Sequence, residues 1–247
     1  MNVFITGGTS GIGLELARHF IADGHIAGVC SFEPPEQVTH ILPGEVRYYQ
    51  ADVTDQHELA NAIHRFNTEA GSLDIVIANA GINHKKTKIP DFDRARKVID
   101  VNVTGVLNTF EPAIDIMKKQ GNGQLVALAS IAGTIGLPGT AAYGASKSAV
   151  INLCESLEID LHHFGIHVTT IAPGFIDSPL TRDNKHKMPF KMTLDDASKR
   201  VYKAIIDKKG FYIFPFPMRI ISRILYHLPR GVYKWFMKKD PIGTGKG

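Results

Sequence analysis

The sequence predicts an α/β fold in which a parallel sheet is covered by helices on both faces. Short, nearly continuous apolar runs, such as residues 3–5 and 73–78, alternate with amphipathic stretches of helical length. Such runs are typical of strands that are buried on both faces of a parallel sheet. A glycine-rich turn at residues 7–13 joins the first run to the first helix. The 247 residues and the apolar fraction of 44% suit a single globular domain, residues 1–247, of this class.

The first half of the chain supplies four predicted strands. The strand at residues 3–5 leads into a helix at residues 14–23, which is apolar on one face and ends before Gly24. Further elements are expected wherever an apolar run or a helical period recurs. These are strands at residues 26–32, 46–50 and 73–78, a helix at residues 55–67, and one or two helices within residues 92–119.

The second half continues the same alternation. Strands are predicted at residues 124–129, 166–171 and 211–214, and helices at residues 143–161 and 195–208. Residues 180–193 are basic, with Lys185, Lys187 and Lys191, and show no helical or strand period. A long irregular segment after the sheet suits a substrate lid, so we predict a lid region within residues 180–210. The alternative is a surface loop without a role in catalysis.

The glycine-rich turn, Thr6-Gly7-Gly8-Thr9-Ser10-Gly11-Ile12-Gly13, predicts a dinucleotide site. Glycine permits positive φ and lets a ligand approach the backbone closely. The helix that follows begins with unpaired N–H groups and the positive end of its dipole, which attract a pyrophosphate. The alternative is a tight turn whose glycines serve packing alone.

The end of the second strand bears on the choice between NAD and NADP. In dinucleotide folds an acid at this place binds the ribose 2′-hydroxyl, whereas a small or basic site tolerates a 2′-phosphate. Ser31 stands where the acid is expected, and Glu33 follows two residues later. We therefore predict NADP as the cofactor, with NAD as the alternative.

Tyr143 and Lys147 are four residues apart in a predicted helix and so lie on one face. An ammonium close to a phenol favours the phenolate, which predicts that the pKa of Tyr143 is lowered towards neutral pH. A general acid or base works best when its pKa is near the operating pH. Ser130, after the strand at residues 124–129, can offer a hydroxyl to the same reacting oxygen. Alone, the pair also fits an exposed tyrosine and a solvated lysine.

Taken together in chain order, these motifs resemble the short-chain dehydrogenase/reductase family over residues 1–179. The ordered set is the glycine turn, Asp52-Val53, Asn79-Ala80-Gly81, Asn102, Ser130, Tyr143-x-x-x-Lys147 and Pro173-Gly174. The resemblance implies one Rossmann-like, doubly wound domain with about seven parallel strands. It also implies a homodimer or homotetramer formed through residues 103–117 and 143–163.

The resemblance assigns roles to four side chains. Tyr143 is the expected acid/base, Lys147 lowers its pKa and holds the nicotinamide ribose, Ser130 orients the substrate carbonyl, and Asn102 completes a proton relay. For Asn102, the residues alone fit a hydrogen-bonded core amide equally well. The implied cofactor-binding residues are Gly7, Ser10, Gly11, Ile12, Gly13, Ser31, Asp52, Val53, Asn79, Ala80, Gly81, Tyr143, Lys147, Pro173, Gly174, Ile176 and Ser178.

Three positions depart from the family pattern. Ser10 stands where NADP-preferring members often carry a basic residue, so the NADP prediction depends on Ser31 alone. Pro34 and Pro35 lie in a short segment after the second strand, so the helix expected there should be truncated. Ser178 replaces the usual threonine and keeps the hydroxyl for the nicotinamide carboxamide.

Residues 211–247 form a basic amphipathic extension. They carry seven Lys/Arg and one acid, a net charge of +6, against +4 for the whole chain, which leaves −2 on the first 210 residues. The basic pI therefore needs no nucleic-acid partner. Residues 217–239 combine basic side chains with apolar stripes. Such a segment packs on its own domain or a partner subunit, or lies peripherally on an anionic membrane.

Composition limits the remaining possibilities. Cys30 and Cys154 lie in apolar runs and are expected to be buried thiols in a reducing compartment. The N-terminus has no signal-peptide pattern and no run is long enough to span a bilayer, so the cytoplasm is the expected location. The histidines form no metal-binding pattern, and no metal is expected.

The sequence thus predicts an NAD(P)-dependent oxidoreductase that acts on a carbonyl or secondary alcohol. The apolar tail and lid favour a hydrophobic small molecule as substrate. A non-catalytic dinucleotide-binding sensor or scaffold is the main alternative. A sugar epimerase or dehydratase, which shares Tyr-x-x-x-Lys, usually needs a longer C-terminal domain than follows residue 179.

Overall fold

Seven parallel strands form one sheet in the computed structural model, which describes residues 1–83, 91–181 and 188–239. The strand order is β3-β2-β1-β4-β5-β6-β7, and every neighbouring pair is parallel. The strands are β1 (Asn2–Thr6), β2 (Ile26–Ser31), β3 (Arg47–Gln50), β4 (Ile75–Ala78), β5 (Gly123–Leu128), β6 (Ile166–Pro173) and β7 (Phe211–Phe214).

Helices cover both faces of this sheet, as predicted. One apolar core includes Leu59, Phe110 and Val150, and the core on the opposite face includes Leu16 and Val201. The described helices are α1 (Gly11–Ala22), α2 (Pro35–Val38), α3 (Gln56–Ala70), α4 (Phe92–Ile99), α5 (Gly105–Gln120), α6 (Ala141–Leu161), α7 (Leu194–Ile206), α8 (Phe216–His227) and α9 (Arg230–Lys239).

Local sequence explains where several helices begin and end. The Asp55 carboxylate accepts hydrogen bonds from the backbone N–H groups of His57 and Glu58, which caps the start of α3. The same helix ends at Gly71, whose φ of 86° lies in the left-handed region that glycine tolerates. Likewise, the Thr193 hydroxyl caps α7 by accepting from the backbone of Asp196.

The strand order changes direction between β1 and β4. The chain runs outward from β1 to β2 and β3 on one side, and from β4 to β5, β6 and β7 on the other. The connections that leave β1 and β4 therefore diverge, and a crevice opens at the carboxyl ends of these strands. In open α/β sheets this crevice is where ligands bind.

Several local predictions can be compared with the structure. The helix between β2 and β3 is truncated as expected, since α2 has only four residues. The predicted helical region 92–119 contains two α-helices joined by a π-helical segment, Asp100–Thr104. The helix of Tyr143 begins two residues earlier, at Ala141. Both cysteines are free and buried, and burial raises the pKa of Cys30 to about 12 and that of Cys154 to about 11.

The structure narrows the predicted lid region. Within residues 180–210, α7 is a core helix, and its Ala197 and Val201 are fully buried. A helix that forms part of the core cannot open over a substrate without disrupting the fold. The lid stays a prediction, which we restrict to residues 180–193; residues 182–187, with Lys185 and Lys187, lie outside the described part of the chain.

The C-terminal extension forms α8 and α9 up to residue 239, where the description ends. Across the described residues, none of the helices has the length and apolar character that a bilayer crossing requires.

Candidate active site

A cavity of about 530 Å³ occupies the crevice at the carboxyl ends of β1 and β4. Its size is in the usual range for small-molecule sites. All but two of the predicted site residues line it; the exceptions are Gly13 and Asn102, which lie behind its wall. The predicted residues on the wall are Gly7, Ser10, Gly11, Ile12, Ser31, Asp52, Val53, Asn79, Ala80, Gly81, Ser130, Tyr143, Lys147, Pro173, Gly174, Ile176 and Ser178.

The glycine turn is held in place by hydrogen bonds from the end of β4. The Asn79 amide donates to the carbonyl oxygens of Thr6 and Gly7, at 3.0 and 2.9 Å. The Thr6 hydroxyl in turn accepts from the backbone N–H groups of Asn79 and Ala80, at 3.1 and 3.2 Å. Asn79 therefore shapes the turn as well as lining the cavity.

Gly13 does not line the cavity, and its role is to let α1 pack closely on the glycine turn. A Cβ atom at this position would lie 2.4 Å from the Gly7 carbonyl oxygen and 2.5 Å from Nδ2 of Asn79. Real Cβ atoms do not approach so closely, so the first turn of α1 can rest on the glycine turn only because residue 13 has no side chain. This is one of the uses of glycine in dinucleotide-binding turns.

We expect Gly13→Ala to weaken dinucleotide binding by at least about tenfold and to lower the melting temperature, because a Cβ would push α1 away from Gly7 or displace Asn79. Calorimetric titration and thermal unfolding measure the two effects. Gly44→Ala is the matched control, because a Cβ at Gly44 meets no atom within 4 Å and its φ is not positive. Equal behaviour of the two variants would contradict this packing argument.

At the far end of the cavity, Ser31 is engaged with Tyr48. The two hydroxyl oxygens are 2.9 Å apart, and the Tyr48 hydroxyl also donates to the carbonyl oxygen of Glu33. Phe32 and Glu33 line the cavity beside them. One carboxylate oxygen of Glu33 is buried and has no hydrogen-bond partner among the described residues. This end of the cavity is therefore acidic, and no Lys or Arg of the described chain lines it there.

Ser130 and Tyr143 lie thirteen positions apart in the chain, and the structure places both on the cavity wall. Ser130 follows β5 in extended conformation, and its hydroxyl accepts from the backbone N–H of Ala132 at 3.2 Å. The turn that follows presses on α6, since a Cβ at Gly133 would lie 2.6 Å from the backbone of Lys147. This packing holds Ser130 and the helix of Tyr143 together, and the Ser130 hydroxyl is close enough to the phenol to lower its pKa.

Lys147 is almost completely buried, and its ammonium donates to the Leu128 carbonyl oxygen at 2.7 Å. Its Nζ lies 5.9 Å from the centre of the Tyr143 ring. Burial lowers the pKa of Lys147 to about 8, because a charged group loses its hydration inside the protein. Lys147 is thus a buried cation beside the phenol.

The predicted lowering of the Tyr143 pKa is wrong for the protein without a bound ligand. Burial raises the pKa of Tyr143, and the hydrogen bond with Ser130 only partly opposes this effect. The phenol loses hydration, while Lys147 is directed to the Leu128 carbonyl and is too far away to offset that loss. At neutral pH Tyr143 is therefore a protonated phenol, which is the form that donates a proton.

Asn102 is fully buried in the π-helical segment and has a complete set of partners. Its amide donates to the carbonyl oxygen of Ile82 and to the Ser146 hydroxyl, both at 3.0 Å, and its Oδ1 accepts from the backbone N–H of Ile82 at 2.8 Å. A Cβ at Gly81 would lie 3.3 Å from this Oδ1 and 3.4 Å from Nζ of Lys147. Asn102 therefore fixes the loop after β4 directly behind Lys147.

Sequence reasoning missed several residues of the cavity wall. Most are apolar, and no chemical motif marks them; they reach the wall because they flank residues that do carry a motif. The signal that could have found them is position at a strand end. They are Phe32, Ala51, Ile82, Val101, Leu128, Ala129 and Pro179. Four further wall residues lie in segments that the sequence already singles out, although they were not predicted as site residues: Thr9, Glu33, Leu180 and Thr181.

Comparison with known proteins agrees with this geometry. The short chain dehydrogenase family profile matches residues 1–189. An uncharacterized oxidoreductase of Myxococcus xanthus is 34% identical over 238 residues, which cover 93% of each chain. The 3-oxoacyl-[acyl-carrier-protein] reductase FabG of Thermotoga maritima is 35% identical over 196 residues, covering 76% of this chain and 77% of its own.

A solved structure, ElxO with NADP bound, superposes with a TM-score of 0.76 at 27% sequence identity and covers 86% of this chain and 95% of its own. The profile extends over the glycine turn, the ends of β1 to β6 and the Tyr143–Lys147 helix. The chain therefore belongs to the short-chain dehydrogenase family, whose members bind NAD(P), and is an oxidoreductase that acts on alcohol or carbonyl groups.

Proposed function

We propose that this protein catalyses reversible hydride transfer between a nicotinamide cofactor and the carbonyl or secondary alcohol carbon of a hydrophobic small molecule. The observation that carries the proposal is the shared cavity: Ser130, Tyr143 and Lys147 face the same space as the glycine turn. A carbonyl group and a dinucleotide can therefore meet at the phenol. Proximity of this kind contributes much of the rate of a two-substrate reaction.

The cavity suits a dinucleotide. Gly7 and Gly11 have positive φ values of 63° and 54°, and the backbone there is open to a ligand. Among the described residues, no side chain caps the first turn of α1, so its N–H groups are free to bind a pyrophosphate. Gly7, Ser10, Gly11 and Ile12 would hold that pyrophosphate, and Lys147 the nicotinamide ribose.

The bound nicotinamide would supply or accept the hydride. The protein would handle the proton and position the substrate. Ser130 would donate a hydrogen bond to the carbonyl oxygen, and Tyr143, protonated at neutral pH, would transfer its proton to that oxygen during reduction. In the reverse direction Tyr143 must first lose its proton, which the ammonium of Lys147 favours. Asn102 would hold the loop after β4 in place through its hydrogen bonds with Ile82, and would complete the proton relay.

A sensor or scaffold that binds the dinucleotide without catalysis would not need Ser130, Tyr143 and Lys147 together. All three line the cavity. The Ser130 hydroxyl accepts one hydrogen bond and keeps its proton to donate, and the Lys147 ammonium uses one of its three donors on Leu128. The enzyme proposal is therefore the better supported of the two.

The substrate is proposed to be hydrophobic because much of the cavity wall is apolar. Ile82, Val101, Ile176 and Leu180 are among the residues that line it. Leu180 belongs to the segment at residues 180–193, which we propose as the lid, and Thr181 anchors its start by donating to the carbonyl oxygen of Ile176. Closure of this segment would exclude water from the reaction.

We further propose a homodimer or homotetramer, built on α5 and α6. Both helices carry large exposed apolar side chains on their outer faces, Leu107 on α5 and Ile159 on α6, the latter 78% exposed. Large apolar side chains left exposed on surface helices are a feature of subunit interfaces, which supports this proposal.

NADP is the proposed cofactor, with Ser31 in place of the acid that would repel a 2′-phosphate. The carboxylate of Glu33 on the same stretch of wall opposes this preference. We expect Glu33→Gln to tighten NADPH binding about threefold to tenfold, because it removes a negative charge near the phosphate, and to leave NADH binding within about twofold. Calorimetric titration with both dinucleotides measures the effect.

Glu36→Gln is the matched control, since Glu36 is an exposed residue of α2 outside the cavity wall. It should change neither affinity. If the unmodified protein binds NADH more tightly than NADPH, the NADP preference is wrong, while the proposal of hydride transfer is unaffected.

A further inference from the structure

The C-terminal segment at residues 211–239, which contains β7, α8 and α9, has six Lys/Arg and no Asp or Glu. A surface segment of this length normally carries both signs of charge. Positive charge without compensating acids, combined with exposed apolar side chains, is typical of a segment that binds an anionic partner.

One side of α8 packs on the domain and the other presents an apolar stripe. Met218 and Ser222 are buried, whereas Phe216, Ile220 and Ile224 are all exposed. These three residues are spaced four apart and so lie in one row on the helix surface. Arg219 and Arg223 are also four apart, exposed, and fall beside this row. The exposed side of α8 is therefore an apolar stripe bordered by cations.

The next helix, α9, is held to the domain by Tyr233, which is buried and donates a hydrogen bond to the Gly136 carbonyl oxygen. Val232 and Trp235 face outward on the other side, and Trp235 is 52% exposed. Val232 and Trp235 therefore form an outward apolar face on α9, in addition to the apolar stripe on α8.

Three cations of α9 line a second cavity, of about 760 Å³, between this helix and the loop at residues 136–138. They are Arg230, Lys234 and Lys238, and none of them forms an ion pair with any described residue. The remaining wall is largely apolar and includes Leu137, Pro138 and Met237. A cavity with cations on one wall and apolar side chains on the other matches an anionic amphiphile, such as the headgroup and upper acyl chain of an anionic lipid.

We propose that α8 and α9 form a docking surface for an anionic lipid membrane. The exposed stripe of Phe216, Ile220 and Ile224 would enter the interface, and the flanking cations would meet the lipid headgroups. Apolar burial and attraction to anionic lipids are the two contributions that bind an interfacial helix.

A second copy of the chain is a poorer occupant of the same surface. In a two-fold symmetric interface the same patch meets itself. Here that would bring a segment with several Lys/Arg against its own copy, and the sequence of the segment holds no acid to pair with them. The charge therefore favours an anionic surface over self-association at this place.

Docking would bring the catalytic cavity close to the membrane. A Cβ at Gly174, a residue of the cavity wall, would lie 3.3 Å from Cγ of Met218, so α8 packs directly beside the cavity. Tyr233 holds α9 to Gly136, in the loop between Ser130 and Tyr143. A hydrophobic substrate dissolved in the bilayer would then have a short path to Tyr143.

Trp235 is the single tryptophan of the chain and reports directly on docking. With vesicles of phosphatidylcholine and phosphatidylglycerol at roughly 2:1, we expect the protein to sediment and its fluorescence to shift to shorter wavelength, and expect neither with phosphatidylcholine alone. High salt should reverse both effects, because it screens the headgroup attraction.

Arg219→Gln with Arg223→Gln should reduce partition into the anionic vesicles about fivefold per cation, or roughly 30-fold together. Ile220→Ser with Ile224→Ser should reduce it at least as much. Lys97→Gln with Lys119→Gln, which removes the same charge from exposed sites on α4 and α5, is the control and should leave partition within about twofold. Turnover of a water-soluble carbonyl compound should be unchanged in all three.

Failure of the unmodified protein to sediment with anionic vesicles would overturn the proposal, as would equal binding to neutral vesicles or an equal loss in the control variant. These results do not depend on turnover, so the docking surface and the proposed reaction can fail separately. The substituted side chains are exposed, and an unchanged melting temperature would show that the variants remain folded.

Discussion

Replacing Tyr143 by phenylalanine is expected to lower turnover about a thousandfold while cofactor affinity stays within about twofold. The phenol lines the cavity together with Ser130, and burial keeps it protonated at neutral pH. Phenylalanine fills the same space, so the cavity and the dinucleotide contacts of the glycine turn should be preserved. The loss should therefore appear in kcat and leave the dissociation constant of the dinucleotide almost unaltered.

The measurement is the decrease of nicotinamide absorbance with a panel of carbonyl compounds, together with calorimetric titration of the dinucleotide. Tyr226→Phe is the control, since Tyr226 is an exposed tyrosine of α8 outside the cavity. A Tyr143→Phe variant that turned over normally would rule out Tyr143 as the proton donor. Loss of dinucleotide binding in that variant would instead point to damage of the cavity.

The fold could be predicted because its signals are local. Each strand of a doubly covered parallel sheet is a short apolar run, and the glycine turn and Tyr143–Lys147 pair have fixed spacings within single elements. The truncated α2 also follows from local chemistry, since Pro34 and Pro35 restrict the backbone.

The contacts that shape the site could not be predicted in this way, because they join residues far apart in the chain. The Asn79 amide donates a hydrogen bond to the Thr6 carbonyl, 73 positions away, and the Lys147 ammonium donates one to the Leu128 carbonyl. The π-helical turn that buries Asn102 against Ile82 has no sequence pattern of its own. The pKa of Tyr143 was predicted with the wrong sign because spacing along a helix indicates a neighbouring charge but does not indicate burial.

The C-terminal extension shows a further limit of prediction from sequence. A basic amphipathic pattern predicts helices but not which side packs on the domain. The burial of Met218, Ser222 and Tyr233 depends on their fit against the domain, and that fit determines which apolar side chains remain outside.

Lys147→Met is expected to abolish turnover and at the same time to stabilise the unliganded protein at pH 7. Burial lowers the pKa of Lys147 from 10.5 to about 8, which corresponds to a cost of about 3 kcal/mol for holding the charged form in the folded state. Methionine has a similar shape and no charge. Its substitution leaves the Leu128 carbonyl oxygen without its donor, at a cost of about 1–2 kcal/mol. The free energy of unfolding of Lys147→Met should therefore exceed that of the wild type by about 1–2 kcal/mol, which corresponds to roughly 3–6 °C in Tm.

The gain should depend on pH with a definite sign. Below pH 8 the lysine is protonated in both states, so the folded wild-type protein carries the whole cost of the buried charge. Between about pH 8 and 10.5 the folded state loses the proton while the unfolded state retains it, so wild-type stability rises with pH through this window and the advantage of Lys147→Met shrinks. Thermal unfolding of both proteins at pH 7 and pH 10 measures the difference, and Lys97→Met, at an exposed lysine of α4, should show no such change. A lower melting temperature for Lys147→Met at pH 7 would mean that the buried ammonium is not a cost to the fold. The expected combination of higher stability and lost turnover would instead show that Lys147 is retained for chemistry at the expense of stability.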